Sequence, residues 1–184
     1  IDNGAVVVVC EHDLGFKNQV LVPDTHSALA EICGNWFDNP QNKLKIIGIT
    51  GTNGKTSVCY MLKSIFEHCG YKTGLIGTIQ NMVGEEILPA KNTTPGVFEL
   101  YSLFDKMVKA DCKYAVMEVS SHSLDQRRVE GIRFSAGVFT NLTQDHLDYH
   151  GTMENYFEAK TKLFSACDLA VVNIDDEYGA RLKN

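Results

Sequence analysis

The stretch IIGITGTNGKTSVCYML (46–62) is the feature that most constrains the fold. An apolar run enters a glycine loop and an amphipathic segment follows at once, so the chain passes from strand to helix through residues 51–56. Glycines let backbone N–H groups curl round a phosphate, and the helix N-terminus adds partial positive charge. In such a loop Lys55 reaches the terminal phosphates and the Thr56 hydroxyl takes Mg²⁺. A strict phosphate-binding loop carries glycine five residues before Gly54, where this chain has Ile49. The loop is therefore shorter on its strand side. The plainer alternative is a glycine turn with a solvated lysine, and the flanking strand and helix favour the phosphate loop.

Strand and helix patterns alternate from this point on. A strand over 44–50 leads to a helix over 56–69 that Gly70 closes at C′. A strand (72–78), a hairpin around Gly84 and a helix (96–110) behind Pro95 come next. Then follow a strand (113–120), a short helix (123–129), a strand (134–142), a polar loop (143–151), a helix (153–164) and a strand (169–174). This alternation predicts an α/β fold with a mostly parallel sheet flanked by helices. Upstream, AVVVVC (5–10) reads as a buried strand. A helix capped by Asp24 or Thr25 follows, with Leu29, Ile32, Cys33, Trp36 and Phe37 at helical spacing, and Asn39-Pro40 ends it. The polar stretch 39–45 reads as a linker, which places a domain boundary between 42 and 43. Residues 1–42 are then the end of one domain and 43–184 most of a second.

Composition narrows the class. The 184 residues carry a net charge of −6, so a nucleic-acid surface is not the default. The six cysteines are scattered, with no C-x-x-C pair; several sit in apolar runs and read as small core residues, which fits a reducing cytosol. No apolar run approaches the ~20 residues of a membrane span, and the first residues lack the basic start of a signal peptide. The expected location is cytoplasmic. The chain opens abruptly without methionine and reads as a piece of something longer.

Polar clusters fall where predicted strands end, which is where ligands gather in open α/β sheets. Glu118 closes the strand over 113–120 and precedes Ser120, Ser121 and His122. A carboxylate there suits Mg²⁺ and, amid Ala115, Val116, Met117 and Val119, would need a partner. NLTQDHLDYHG (141–151) gathers Asn141, Asp145, His146, Asp148 and His150. His146 and His150 have zinc-pair spacing, but the glutamate of H-E-x-x-H and a third ligand are missing, so zinc is not expected. Lys160 and Lys162 lie two apart on one helix and must face different ways. NTTP offers hydroxyls of Thr93 and Thr94 near a helix start, and Arg127 or Arg128 can fork onto a carboxylate.

GITGTNGKTS, NTTP, MEVSSHSLDQRRV and FTNLTQDHLDYHGTMENYFEAKTKLF, in that order, resemble the Mur ligases, and within them the MurE type. That family's loop normally has the form T-G-T-N-G-K-T, which accounts for Ile49. Ser57 stands where many members have threonine. The resemblance implies an ATP-dependent amide ligase of peptidoglycan synthesis. It would add meso-diaminopimelate or L-lysine to UDP-MurNAc-L-Ala-D-Glu through an acyl phosphate, acting as a cytoplasmic monomer without nucleic-acid or membrane partners. Gly51, Thr52, Asn53, Gly54, Lys55, Thr56, Ser57 and Asn141 would hold ATP. Thr56, Glu118, His146 and Lys160, the last carbamylated, would serve Mg²⁺, with Lys55, Glu118, His146 and Lys160 as the catalytic set. Asn92, Thr93, Thr94, Ser120, Gln126 and Arg128 would bind the UDP-MurNAc-dipeptide, Arg128 on a carboxylate. The family's C-terminal domain is missing from these 184 residues, so little or no ligase activity is expected of them alone. The alternatives are another ligase of the superfamily, such as a folylpolyglutamate synthase, and a non-catalytic nucleotide-binding module.

Overall fold

A computed structural model describes residues 4–182; residues 1–3 and 183–184, the outer ends of the two expected domains, lie outside it. In chain order the elements are β1 (Val8–Cys10), β2 (Gln19–Leu21), α1 (Thr25–Trp36), a 3₁₀ turn (Pro40–Asn42), β3 (Lys45–Thr50) and α2 (Lys55–His68). Then come β4 (Thr73–Ile76), β5 (Gln80–Val83), β6 (Glu86–Pro89), α3 (Val97–Lys109), β7 (Tyr114–Glu118) and α4 (Ser121–Asp125). β8 (Ala136–Phe139), α5 (Leu147–His150), α6 (Met153–Ser165), β9 (Ala170–Val172) and α7 (Glu177–Arg181) complete the described chain. Seven strands form one sheet in the order β6-β5-β4-β7-β3-β8-β9. The run from β4 to β9 is parallel, and the β5–β6 hairpin adds antiparallel strands at one edge.

Strand alternation sorts side chains onto two faces. Ile46, Ile76, Ala115 and Met117 join α3 residues such as Leu100, Phe104 and Met107 in one core. Ile47, Ile49, Leu75 and Val116 point the other way, onto Cys59, Val58 and Leu62 of α2. Both faces are covered, so the central strands are continuously apolar rather than alternating. Gly74 lets α3 come close, since a Cβ there would lie 2.3 Å from the Met107 sulfur.

The helix ends follow local chemistry. α2 stops in a Schellman motif: Gly70 adopts φ +85°, the Tyr71 amide donates to Phe66 O and the Gly70 amide to Glu67 O. Thr152 caps α6 through the Asn155 amide.

The N-terminal segment departs from its expected form. β1 spans only Val8–Cys10, and Val6, Val7 and Val9 are exposed, because only β2 lies beside β1 in its two-stranded sheet. On α1, Asp24 is the N-cap, but Leu29, Ile32 and Trp36 face outward; the buried stripe is Ala30, Cys33 and Gly34, which packs toward α3. α1 ends at Trp36, before Asn39-Pro40 is reached. Pro40 and Gln41 are buried in the 3₁₀ turn, so part of the polar segment read as a linker is packed. Four of the cysteines are buried and two, Cys69 and Cys167, are not. Among the described residues no helix is long and apolar enough to cross a membrane.

Candidate active site at the ends of four parallel strands

β4, β7, β3 and β8 are neighbours running in one direction, so the loops leaving their C-terminal ends converge. β3 delivers the glycine loop, β7 delivers Glu118, β8 delivers Asn141, and β4 delivers Gly77 and Thr78.

The loop is braced from β8. The Asn53 amide donates to Asn141 Oδ1 (3.0 Å), Asn141 Nδ2 donates to Asn53 O (3.1 Å), and the Thr52 amide donates to Asn141 O (2.9 Å). Gly51 has φ +139°, and a Cβ there would lie 2.0 Å from Thr140 Oγ1, so glycine is required on both counts. Gly54, at φ +84°, is the N-cap of α2, whose first amides face the loop. Lys55 folds back: its Nζ donates to Gly51 O (3.0 Å) and Thr52 O (2.8 Å). Ser57 lies exposed on the first turn.

Lys160 approaches the same carbonyl from α6. Its Nζ donates to Gly51 O (2.9 Å) and sits 4.4 Å above the Tyr156 ring. The side chain is 1% exposed, and burial, with the Lys55 charge nearby, pushes its pKa down to about 7. Burial lowers Lys55 too, partly offset by Glu118 and Asp145. Lys162 turns away and pairs with Asp125 (2.8 Å), as the two-residue spacing requires.

Glu118 is 1% exposed and has the partners its burial demands, all neutral donors. Oε1 accepts from Thr56 Oγ1 (2.9 Å) and the Thr78 amide (2.9 Å), and Oε2 accepts from Thr78 Oγ1 (3.0 Å). Gly77 permits this approach, because a Cβ there would lie 2.5 Å from Oε1. Gly77 and Thr78 were missed in the sequence. Their only signal is that LIGT ends a parallel strand, as the better-marked motifs do.

The NTTP and Ser120 group lies alongside. Thr94 is fully buried and donates to Glu118 O (2.9 Å), so its hydroxyl is internal rather than open to an anion. The Ser120 amide donates to Thr94 Oγ1 (3.1 Å), and Ser120 Oγ caps α4. α4 therefore starts at Ser121, two residues ahead of the predicted helix, and ends at Asp125. Thr93 is half-buried beside Thr78, and Asn92 is exposed. The two arginines divide: Arg127 forks onto Asp24 at the start of α1 (2.8 Å and 2.8 Å), whereas Arg128 donates to Thr94 O (3.1 Å) and Gln126 Oε1 (3.0 Å). Only Arg128 is thereby left without a carboxylate partner among the described residues.

The expected polar loop over 143–151 contains a helical turn, α5. His146 caps it at φ +51° and is exposed, with its ring 4.9 Å from that of His122 and 6.0 Å from that of Tyr156. His150 is buried instead, bonded to Ser121 Oγ (2.9 Å) and stacked on Tyr156. The two histidines point to different partners. No cluster of three His, Cys, Asp or Glu side chains suited to a metal occurs among the described residues.

The sequence profile of the Mur ligase middle domain matches residues 49–184. The chain belongs to the Mur ligase family. It is 51% identical over 185 residues to UDP-N-acetylmuramoyl-L-alanyl-D-glutamate--2,6-diaminopimelate ligase of Clostridium perfringens, covering 99% of this chain and 38% of that protein. The enzyme of the same name from Caldanaerobacter subterraneus subsp. tengcongensis is 52% identical, over 99% of this chain and 39% of its own length. The chain thus spans under two-fifths of the curated relatives it matches. A solved structure of such a ligase superposes with a TM-score of 0.85 at 33% identity, over 99% of this chain and 38% of that one. Folylpolyglutamate synthase from Mycobacterium tuberculosis, complexed with ADP and AMPPCP, shares the fold at a TM-score of 0.63 and 18% identity, over 84% of this chain and 43% of that one.

Proposed function

We propose that this chain is the ATP-binding part of a cytoplasmic, monomeric ligase that joins a diamino acid to UDP-MurNAc-L-Ala-D-Glu in peptidoglycan precursor synthesis. The names of the relatives favour diaminopimelate over L-lysine as that diamino acid. Residues 1–42 belong to the end of a UDP-substrate-binding domain and 43–184 to the central domain. One observation carries the reading: the Thr56 hydroxyl lies 2.9 Å from Glu118 at the mouth of a glycine loop on which Lys55 and Lys160 converge.

A carboxylate is a poor electrophile. The reaction therefore transfers a phosphoryl group from ATP to the substrate carboxylate, and the incoming amine displaces phosphate to form the amide. The loop amides, Lys55, Ser57 and Asn141 hold and frame the nucleotide. The oxygen donors of Thr56 and Glu118 fit Mg²⁺, which takes one or two carboxylates and fills its shell with water and phosphate. When bound it neutralises charge on the phosphate oxygens. His146 and Lys160 flank Tyr156 and would hold a second ion if Lys160 were carbamylated. A pKa near 7 leaves much of Lys160 as the free amine, whose lone pair bonds to the carbon of CO₂ with loss of a proton. Arg128, with Gln126, Ser120, Thr93 and Asn92, holds the dipeptide substrate, while the buried Thr94 braces Ser120 from behind. None of these residues is a covalent nucleophile, so positioning and electrostatics provide the catalysis.

The test uses the full-length protein that contains this chain. With UDP-MurNAc-L-Ala-D-Glu, ATP and Mg²⁺, phosphate release and a product of tripeptide mass are expected to depend on diaminopimelate. Release that depends on a folate and glutamate instead would replace this reading with the synthase one.

A further inference from the structure

Thr78 has no role in the scheme above, yet it supplies two of the three hydrogen bonds on the Glu118 carboxylate. It is also the link between that carboxylate and Thr93, whose Oγ1 lies 3.0 Å from Thr78 Oγ1.

Proton counting fixes the direction of this chain. An ionised carboxylate only accepts, and each hydroxyl has one proton. Thr78 Oγ1 must spend its proton on Glu118 Oε2, so the proton in the Thr78–Thr93 contact comes from Thr93. The Thr93 oxygen then has only lone pairs to offer a ligand. Thr56 is ordered the same way: its proton goes to Oε1, which leaves its lone pairs for a cation. The carboxylate has about four acceptor directions. Two on Oε1 and one on Oε2 are filled, so the open direction belongs to Oε2, the oxygen that Thr78 Oγ1 holds.

We propose that Thr78 is a positioning residue that selects the Glu118 oxygen offered to the cation and, through Thr93, ties that choice to occupation of the substrate pocket. A substrate group that donates to Thr93 strengthens the Thr93–Thr78–Glu118 chain, whereas removal of either hydroxyl uncouples its ends. The assignment rests on the reading of Glu118 and Thr93 as cation and substrate residues.

The test is a titration of the full-length protein with Mn²⁺, following the electron paramagnetic resonance signal of the free ion. It is run with a non-hydrolysable ATP analogue, with and without UDP-MurNAc-L-Ala-D-Glu. In the wild type the dipeptide substrate is expected to tighten Mn²⁺ binding. Thr78→Val keeps the amide and the shape but removes the hydroxyl. It is expected to weaken Mn²⁺ about 10-fold, in the range for groups that orient a metal ligand, and to abolish the effect of substrate. Thr78→Ser is expected to restore both to within about 2-fold, which a merely structural role of the side chain would not require. Thr93→Val leaves Glu118 untouched and, with the dipeptide raised until it saturates the variant, is expected to lose the substrate effect on Mn²⁺, so it tests the coupling even if Thr78→Val folds poorly. Wild-type Mn²⁺ affinity in Thr78→Val, or a substrate effect that survives in Thr93→Val, overturns the proposal. A wild-type protein that makes tripeptide while Thr78→Val behaves normally overturns this proposal alone. A wild-type protein that makes no tripeptide overturns the functional reading beneath it as well.

Discussion

The two ends of the seven-stranded sheet handle charge in opposite ways. Where the parallel strands begin, a cavity of about 580 Å³ is lined by Glu67, Tyr71, Lys72, Glu85 and Glu86 among others. Charges there answer one another or face water: the buried Lys63 pairs with Glu67 one turn on, and Glu85 and Glu86 are exposed. Where the strands finish, Glu118 and Lys160 are each 1% exposed, and among the described residues neither they nor Lys55 make an ion pair. A buried charge held only by neutral dipoles is expensive. The difference teaches that size does not mark the proposed active end of this sheet; unanswered charge does. A charged ligand can supply the missing partners.

The comparison breaks most visibly at Glu118. Gly77→Ala leaves the carboxylate in the chain but puts a methyl 2.5 Å from Oε1. Tripeptide formation by the full-length protein is expected to fall by about 10² or more, as when a charge-stabilising group is lost. Circular dichroism is expected to show the fold retained. Turnover near wild type would mean that the placement of Glu118 is not critical.

Lys160→Met tests the cost of the second buried charge. The folded pKa of Lys160 is about 7 against an ordinary 10.5, so between those values the unfolded chain holds more protons and stability rises with pH. Below the folded value the penalty is fully present. Lys160→Met is expected to stabilise the chain at pH 7 by about 2 kcal/mol in urea unfolding, after loss of the bond to Gly51 O. It is also expected to flatten most of the rise in stability between pH 7 and 10 while abolishing activity. A less stable variant would show that the ammonium is well satisfied by its two neighbours.

Smaller effects belong to the edges. Asp24→Ala removes both the N-cap of α1 and the fork from Arg127. Since the pair is partly exposed, a small loss of stability is expected by the same unfolding measurement. Glu86→Ala, at the ordinary end of the sheet, is expected to change stability by under about 0.5 kcal/mol and leave turnover alone. A larger effect would give that end a role of its own.

Much of this contrast is written in the sequence. Apolar runs such as KIIGIT (45–50) and YAVME (114–118) can only be strands buried on both faces, and the polar residues just beyond them mark one edge of the sheet. The opposite fates of Lys160 and Lys162 follow from helix geometry. What stayed hidden depends on neighbours remote in sequence. AVVVVC carries strand propensity, but burial needs a second layer, and only three residues pair, beside β2 alone. Leu29, Ile32 and Trp36 have helical spacing, yet the smaller stripe of Ala30, Cys33 and Gly34 lets α1 come close to α3. Arg127 and Arg128 were equivalent until the fold brought Asp24 to one of them across 103 positions. Thr78 lacks a motif of its own and matters only because β4 lies next to β7.

Gly51 O is the single atom on which ammonium groups from α2 and α6 meet. The two lysines are therefore wired in series through one peptide plane. A phosphate that draws Lys55 outward removes one of the two claims on that oxygen and, with it, the like charge that disfavours protonation of Lys160. Arrival of a nucleotide would thus be felt on a helix that begins about a hundred residues further along the chain.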